Sequence, residues 1–351
     1  MTPYFILLLI PSLFALFNTR RLSLALWCLT FFIFAIFVGL RNKVGPDWMQ
    51  YGYIHSSIAY YDFWEVISQA EPLSYLLFWI SETSGAQVYL SNAVAAIIML
   101  WGVFAFARRT ANPWLALVTA TPYFIMVMGM SGMRQTIAAG IILLLFSRWE
   151  RYGIIARASY ILIAAMFHTS ALINNLFLII KMQIRFRYKI ILGSIITLAT
   201  LYLSTEVGIY ADNIVRYQQR YLEGTFIDKS LGSLYHVAMI AVPAILGFIF
   251  RKRITPTIHN PSLLSFGLYA SLGILFLNFF YPTIASRLTV YLYFLPMMVY
   301  PAFVATFGRR AQLGSIFAVI AFHMLILMTW FQFGNHAFAY IPYRNILLDE
   351  F

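Results

Sequence analysis

From Thr2 to Phe333 the chain is a succession of hydrophobic runs separated by short polar breaks, and this pattern leaves it few ways to fold. A helix of about 20 apolar residues crosses a bilayer, and an unpaired backbone group in hydrocarbon costs several kcal/mol, so such runs cross lipid as helices. The composition is 62% hydrophobic and 10% charged, which leaves no stretch polar enough for a separate soluble domain. We therefore expect one all-α polytopic membrane domain over residues 1–351, with outer-face loops at 41–70 and 205–233. Apolar segments are predicted at 2–17, 22–40, 71–83, 86–107, 113–129, 132–149, 154–167, 170–181, 189–204, 234–250, 262–281, 284–307 and 312–333, or about 11–13 membrane helices once re-entrant or broken ones are allowed.

Charge placement orients these segments. The first run has no basic residue before it and Arg20-Arg21 after it, the reverse of a cleavable signal, so a retained first span with its N-terminus outside is expected. The single cysteine, Cys28, allows no intrachain disulfide. A net charge of +12 would suit nucleic acid, but the basic residues lie between hydrophobic runs, where they signal topology instead. If 71–83 dips into the membrane and returns, and 154–181 bends back near His168, most Lys and Arg fall on one side, including Arg108, Arg109, Arg148, Arg151 and Arg251. The positive-inside rule makes that side the cytoplasm. Arg41, Lys43, Arg134, Arg216, Arg220, Lys229, Arg287 and Arg344 then lie outside, against the bias, with nearly all the acids.

The most informative of these is Arg134. It follows Met128-Gly129-Met130-Ser131-Gly132-Met133, where one apolar run turns into the next. An arginine at the centre of a membrane helix is disfavoured by about 2.5–3.5 kcal/mol, so one at a helix start belongs at an interface or in a wet cavity. With Ser131 expected as N-cap, first-turn N–H groups and the guanidinium would together suit an anion, phosphate above all. A snorkelling interfacial arginine explains the same residue without a ligand. Arg287, read as opening a later helix with Tyr291 one turn on, repeats the arrangement.

Other polar residues gather around the same face. Gly45-Pro46 forces a turn, after which Asp47 is expected to cap a short helix that puts Asp47 and Tyr51 on one face, near Arg41. Asp47 is then a capping residue or a base for a sugar hydroxyl. Residues 56–70 read as an interfacial amphipathic helix. Glu71-Pro72 starts the dipping segment and makes Glu71 a second carboxylate candidate. His168, beside Thr169 and Ser170, is either a hydrogen-bonded packing residue or a group that positions a carboxylate or binds phosphate. Arg216 and Arg220, spaced i, i+4 with aromatics between, suit phosphate or sugar contacts as well as a solvated loop. The histidines are too scattered for a zinc site, and no nucleotide-binding motif is present.

Gly45-Pro46-Asp47 with Tyr51, Glu71, Arg134-Gln135, Phe167-His168-Thr169-Ser170-Ala171, Arg287 with Tyr291, and Ile341-Pro342-Tyr343-Arg344-Asn345 occur in that order along nearly the whole chain. This ordered set resembles the EpsG family of membrane proteins, which belongs with the Wzy-type polymerases of bacterial surface polysaccharides. The resemblance implies a GT-C-like glycosyltransferase architecture in the bacterial cytoplasmic membrane. It implies transfer of a glycan from undecaprenyl diphosphate to a hydroxyl of the next lipid-linked repeat unit on the outer face, with a flippase and a chain-length regulator as partners and no nucleic acid. On that reading Arg134 and Arg287 bind the diphosphate, and Arg41, Arg216 and Arg220 assist. Tyr51 and Tyr291 line the substrate site, and Asp47 leads Glu71 and His168 as the base. No cofactor or metal is expected. A membrane O-acyltransferase centred on His168, or a lipid-linked oligosaccharide flippase, are the alternatives; the first would change acetyl content and leave chain length alone, and the second would need a cationic path and repeats that the sequence lacks.

Overall fold

The computed structural model describes residues 1–17, 23–182, 184–206 and 226–348. Arg216 and Arg220, with most of the 205–233 loop, lie outside the described residues. Among those described the chain is helical, and no strand forms beyond a single antiparallel bridge between Arg41 and Asn345.

Helices α1 (Thr2–Phe17) and α2 (Leu24–Gly39) are followed by two short helices, α3 (Trp48–Ile58) and α4 (Phe63–Ile67). Next come α5 (Pro72–Thr83), α6 (Gln87–Ala107), α7 (Pro113–Ala120), α8 (Met133–Ser147) and α9 (Ile154–Phe167). The second half holds α10 (Asn175–Lys181), α11 (Phe186–Glu206), α12 (Phe226–Ile249) and α13 (Pro261–Asn278). It closes with α14 (Pro282–Leu288), α15 (Phe294–Ala305) and α16 (Arg309–Phe333). Among the described residues, four helical stretches are long and apolar enough to cross a bilayer alone: 87–107, 232–249, 261–278 and 309–333. The run expected at 284–307 is a fifth, bent by 55° between residues 292 and 294. Shorter apolar helices at 2–17, 24–39, 113–128, 133–147, 154–167 and 169–179 fill in around them. Leu9, Leu13, Leu29, Phe32, Ile97, Trp101, Phe276, Phe317 and Leu325 are all exposed, a surface that lipid would cover and water would not. The protein is a polytopic helical membrane protein.

Breaks fall where side chains force them. Pro122 has no N–H to give, and from Thr121 to Met128 the helix after α7 widens to π geometry, with Gly129 N–H reaching back to the Phe124 carbonyl (3.0 Å). The long run 154–181 does bend at His168. That residue is extended (φ −156°), and a 3-10 turn over Thr169–Asn174 leads into α10, which folds back on α9. The helix expected over 56–70 does not form as one piece. It stops at Ile58, and Asp62 opens α4 with a capping box, taking Glu65 N–H while Glu65 takes Asp62 N–H.

Small residues set the closest helix contacts. A Cβ at Gly102 on α6 would lie 1.9 Å from the Gly140 carbonyl oxygen on α8, and one at Gly140 would lie 2.5 Å from Met99 Cα. The two backbones therefore touch in mid-membrane, as small residues allow. Gly45 does the same for the loop after α2: its φ is +102°, and a Cβ there would meet the Met130 carbonyl oxygen at 1.9 Å. The C-terminal segment straps this loop from behind. Asn42 N–H bonds the Arg344 carbonyl, Ile346 N–H the Leu40 carbonyl and Gly45 N–H the Ala339 carbonyl, at 2.9–3.0 Å, while Tyr343 stacks on Phe37 with ring centroids 4.1 Å apart.

Gly102→Val is expected to push α6 off α8 and to cost at least the ~1–3 kcal/mol typical of overpacking. Thermal unfolding of the detergent-solubilised protein should show a lowered midpoint, whereas Gly232→Val, in open space, should leave it unchanged.

Candidate active site

Glu71 precedes Pro72 at the head of α5, outside the spanning helices, and only 6% of its side chain is exposed. A bare carboxylate there would be prohibitively costly, so its oxygens must be paired. Oε2 accepts from Arg134 Nη1 at 2.7 Å. Oε1 accepts from His168 Nδ1 at 2.6 Å, from Thr169 N–H at 3.0 Å and from the Thr169 hydroxyl at 3.3 Å. Burial pushes its pKa up, but His168, Arg134 and the Thr169 amide outweigh burial and hold the carboxyl down at about 2 against an ordinary 4.5. Glu71 is therefore ionised across the working range, and it already accepts four hydrogen bonds from Arg134, His168 and Thr169.

Three separate breaks deliver this cluster: the head of α5, the head of α8 and the end of α9. Ser74, one turn into α5, donates to the Phe167 carbonyl at 2.7 Å and fixes α5 against the end of α9. An ionised carboxylate has no proton to give, so the hydrogen of this contact is carried by His168 Nδ1, and the ring's Nε2 is left on the side away from Glu71. Arg134 and His168 keep 27% and 20% of their side chains exposed above the buried Glu71. They are the faces of the cluster that a ligand can reach.

Asp47 and Tyr51 approach from the other side. Asp47 stands at the N-cap position of α3 but its carboxylate caps nothing; it accepts from the Ser131 hydroxyl at 2.8 Å. Ser131 correspondingly is not the N-cap of α8. Gly132 occupies that position without a side-chain cap, because the Ser131 hydroxyl is spent on Asp47. Tyr51, one turn on, takes the Arg134 backbone N–H on its phenol oxygen at 3.4 Å, so Asp47 and Tyr51 share a face as predicted. Glycine at 45 makes this approach possible, since any Cβ would collide with the turn that carries Ser131.

Arg287 is exposed and lies in the last turn of α14, not at a helix start, because α14 ends at Leu288 and a 3-10 turn over Thr289–Leu292 follows. Its placement near Arg134 nevertheless holds at the backbone: Gln135 Nε2 donates to the Arg287 carbonyl at 2.8 Å. Tyr291 is buried and its hydroxyl pairs with Ser170 at 2.8 Å, which joins it to the His168–Thr169 corner. Arg41 is 3% exposed, with Nε on the Val44 carbonyl (3.1 Å) and Nη1 on the Val38 carbonyl (2.7 Å). Its hydrogen bonds close the loop that carries Asp47. Among the described residues, no three His, Cys, Asp or Glu side chains meet as a metal site would need.

A model of the EpsG family matches residues 24–345. The chain belongs to the EpsG family. That family is associated with Wzy-type polysaccharide polymerases, so this member is a multi-pass membrane protein with a polysaccharide polymerase role. No curated protein and no solved structure matches the chain. The EpsG-family match takes in every residue of the cluster, from Arg41 to Tyr291, and ends at Asn345, whose amide donates to the Ile36 carbonyl at 3.1 Å and ties the strap to α2.

Two contributions were not evident in the sequence reading: the Ser131 hydroxyl as partner of Asp47, and Gln135 as the link to Arg287. The signal for both was their adjacency to Arg134, where polar side chains inside an apolar run need partners.

Glu71→Gln puts an amide where two cationic or donor groups need a carboxylate. Removing one member of a buried pair costs about 3–5 kcal/mol, and the part-exposed Arg134 places this case at the lower end. A drop in unfolding midpoint, with His168 ring NMR signals shifted, is the expected readout. Because the folded-state pKa lies below the unfolded one, the stabilisation from Glu71 is complete above pH ~4.5 and fades only as pH falls towards 2. Thermal midpoints of the wild type minus those of Glu71→Gln should thus stay level from pH 5 to 8.

Proposed function

We propose that this protein joins undecaprenyl-diphosphate-linked oligosaccharide repeat units on the outer face of the bacterial cytoplasmic membrane, acting as a lipid-diphosphate-dependent glycosyltransferase. The observation that carries the reading is the Glu71 network: one buried carboxylate holds a guanidinium and an imidazole, each still partly exposed. The leaving group of such a transfer is a lipid diphosphate, whose charge grows as the glycosidic bond breaks. Preorganised cations are worth most where charge develops, and a guanidinium fits phosphate oxygens in a fork. Arg134 takes that part, with Arg287 beside it. Glu71 positions both partners and takes no proton.

The acceptor hydroxyl needs a base. His168, oriented through Nδ1, offers Nε2, and Asp47 offers a carboxylate held by one serine hydroxyl. Asp47 accepts from one serine hydroxyl where Glu71 already accepts four hydrogen bonds, which makes Asp47 the better carboxylate of the two. Tyr51 and Tyr291 wall the site between these groups. Exposed apolar side chains on the helices, such as Leu29, Phe32, Phe276 and Phe317, suit isoprenoid tails. Arg216 and Arg220 stay in the proposal as loop contacts to the glycan, on their spacing alone.

Polymer length measured in cells at matched protein level tests the assignment. Arg134→Ala is expected to leave single repeat units on the carrier, a loss of at least 100-fold in polymer, and Arg134→Lys to recover only part of it because an ammonium loses the fork. Asp47→Asn and His168→Ala should separate the bases: the one that acts in proton transfer loses at least 100-fold in turnover with substrate binding kept. Normal polymer in Arg134→Ala would remove the diphosphate assignment, and loss of acetyl groups at unchanged length would replace it with acyl transfer.

A further inference from the structure

The end of α8 remote from Arg134 faces a second polar site that the polymerase chemistry does not use. Helix α8 has 15 residues, so its two ends stand about 22 Å apart. At the far end a cavity of about 410 Å3 opens between the α6–α7 turn and the segment before α13, lined by Arg109, Thr110, Ala111, Thr257, Ile258 and His259. Beside it, sharing Arg109, Thr110, Ile258 and His259, a space of about 10 Å3 reaches Asn260 and Met298 and has room for one hydroxyl.

Three features of this cavity point to a phosphate. Arg109 is crowded by cations: burial, then Arg151, Arg148 and Arg108 in that order, lower its pKa, so an anion would relieve a real repulsion. The lining also leads directly into two helix N-termini. Asn112 heads α7 and Asn260 heads α13, each followed by proline, and α13 has no side chain capping its first turn. Both helix dipoles therefore add positive potential at the cavity. The acid at this end is Glu150, which takes the Ser262 hydroxyl and offsets only part of that charge.

Third, Asn260 is 4% exposed and its Oδ1 has no hydrogen-bond partner among the described residues. Its orientation is fixed, because Nδ2 donates to the Phe146 carbonyl at 2.9 Å. What remains is an acceptor at the deep end of a basic cavity. A ligand that satisfies both presents phosphate oxygens to the arginines and a hydroxyl or N–H donor to Asn260.

We propose that this cavity binds a phosphate group bearing a neighbouring hydrogen-bond donor, either the headgroup of an anionic phospholipid such as phosphatidylglycerol or a soluble phosphate. Phosphatidylcholine has the same phosphate but carries a quaternary ammonium and no donor beside it, so it fails both the charge and the donor requirement and is the discriminating comparison.

Native mass spectrometry and thermal unfolding of the full-length protein in detergent supply the test, with phosphatidylglycerol, phosphatidylcholine and inorganic phosphate as probes. Phosphatidylglycerol is expected to bind at least tenfold more tightly than phosphatidylcholine. That preference should fall at least tenfold in Arg109→Gln/Arg148→Gln, which removes the lining arginine and one that crowds it, and persist in Arg309→Gln/Arg310→Gln, which removes equal charge from residues that do neither. Arg109→Gln alone is the milder variant should the pair fail to fold. Stabilisation by phosphatidylglycerol only assigns the site to lipid, and stabilisation by millimolar phosphate as well assigns it to a soluble ligand. Equal binding of both lipids, equal loss in both double variants, or no response to any probe overturns the proposal.

Discussion

A carboxylate buried among apolar helices has to be paired, and the pairing of Glu71 determines how three parts of this protein meet. Its two oxygens accept from Arg134, His168 and Thr169, residues 63 to 98 positions away in sequence. Desolvating such a charge costs several kcal/mol, which the fold recovers only if α5, α8 and the end of α9 converge in one arrangement. Each of those elements ends where it does for a local reason: proline at 72, glycine at 132, an extended residue at 168. The network then converts three helix ends, ordinarily the loosest parts of a membrane bundle, into one fixed corner.

The helices themselves were readable from the chain because their cause is local. Apolar runs must become helices in lipid, and proline, glycine and charge mark where they stop, so the expected boundaries at 2–17, 86–107, 154–167 and 312–333 agree with the observed helices to within a few residues. The same logic picked out Glu71, Arg134 and His168, since a charged or polar side chain inside an apolar run demands an explanation. What it could not supply was the partner. Nothing in the spacing tells that Arg134 takes Glu71, or that Ser131 serves Asp47 instead of capping α8; both choices are settled by packing across more than 60 residues.

Arg287 shows where local reading goes wrong. Tyr281-Pro282 looks like the end of one span and Arg287 like the beginning of the next, but proline suits the first turn of a helix equally well, and α14 starts there. The arginine lands in the last turn of α14, where the dipole favours a cation, and the Gln135 amide ties its backbone to the cluster. The π-helical stretch after Pro122 was likewise invisible, since an apolar run has the same composition whether it winds with four or five residues per hydrogen bond. Its effect is felt at the site all the same, because it decides where Gly129 to Ser131 emerge and so where Asp47 finds its hydroxyl.

Helix α8 draws these threads together. At its head Gln135 holds the Arg287 carbonyl; in its middle Gly140 lies against α6 with no room for a side chain; at its end the Phe146 carbonyl accepts from Asn260. A rod fixed at three levels cannot tilt to suit one end without straining the others, because close-packed interiors give little. Arg134 at one end and the basic cavity at the other are therefore carried by the same rigid body. Occupancy of the cavity reaches Arg134 only by shifting α8 as a whole, against the Gly102–Gly140 contact, where backbone meets backbone and leaves no room to yield.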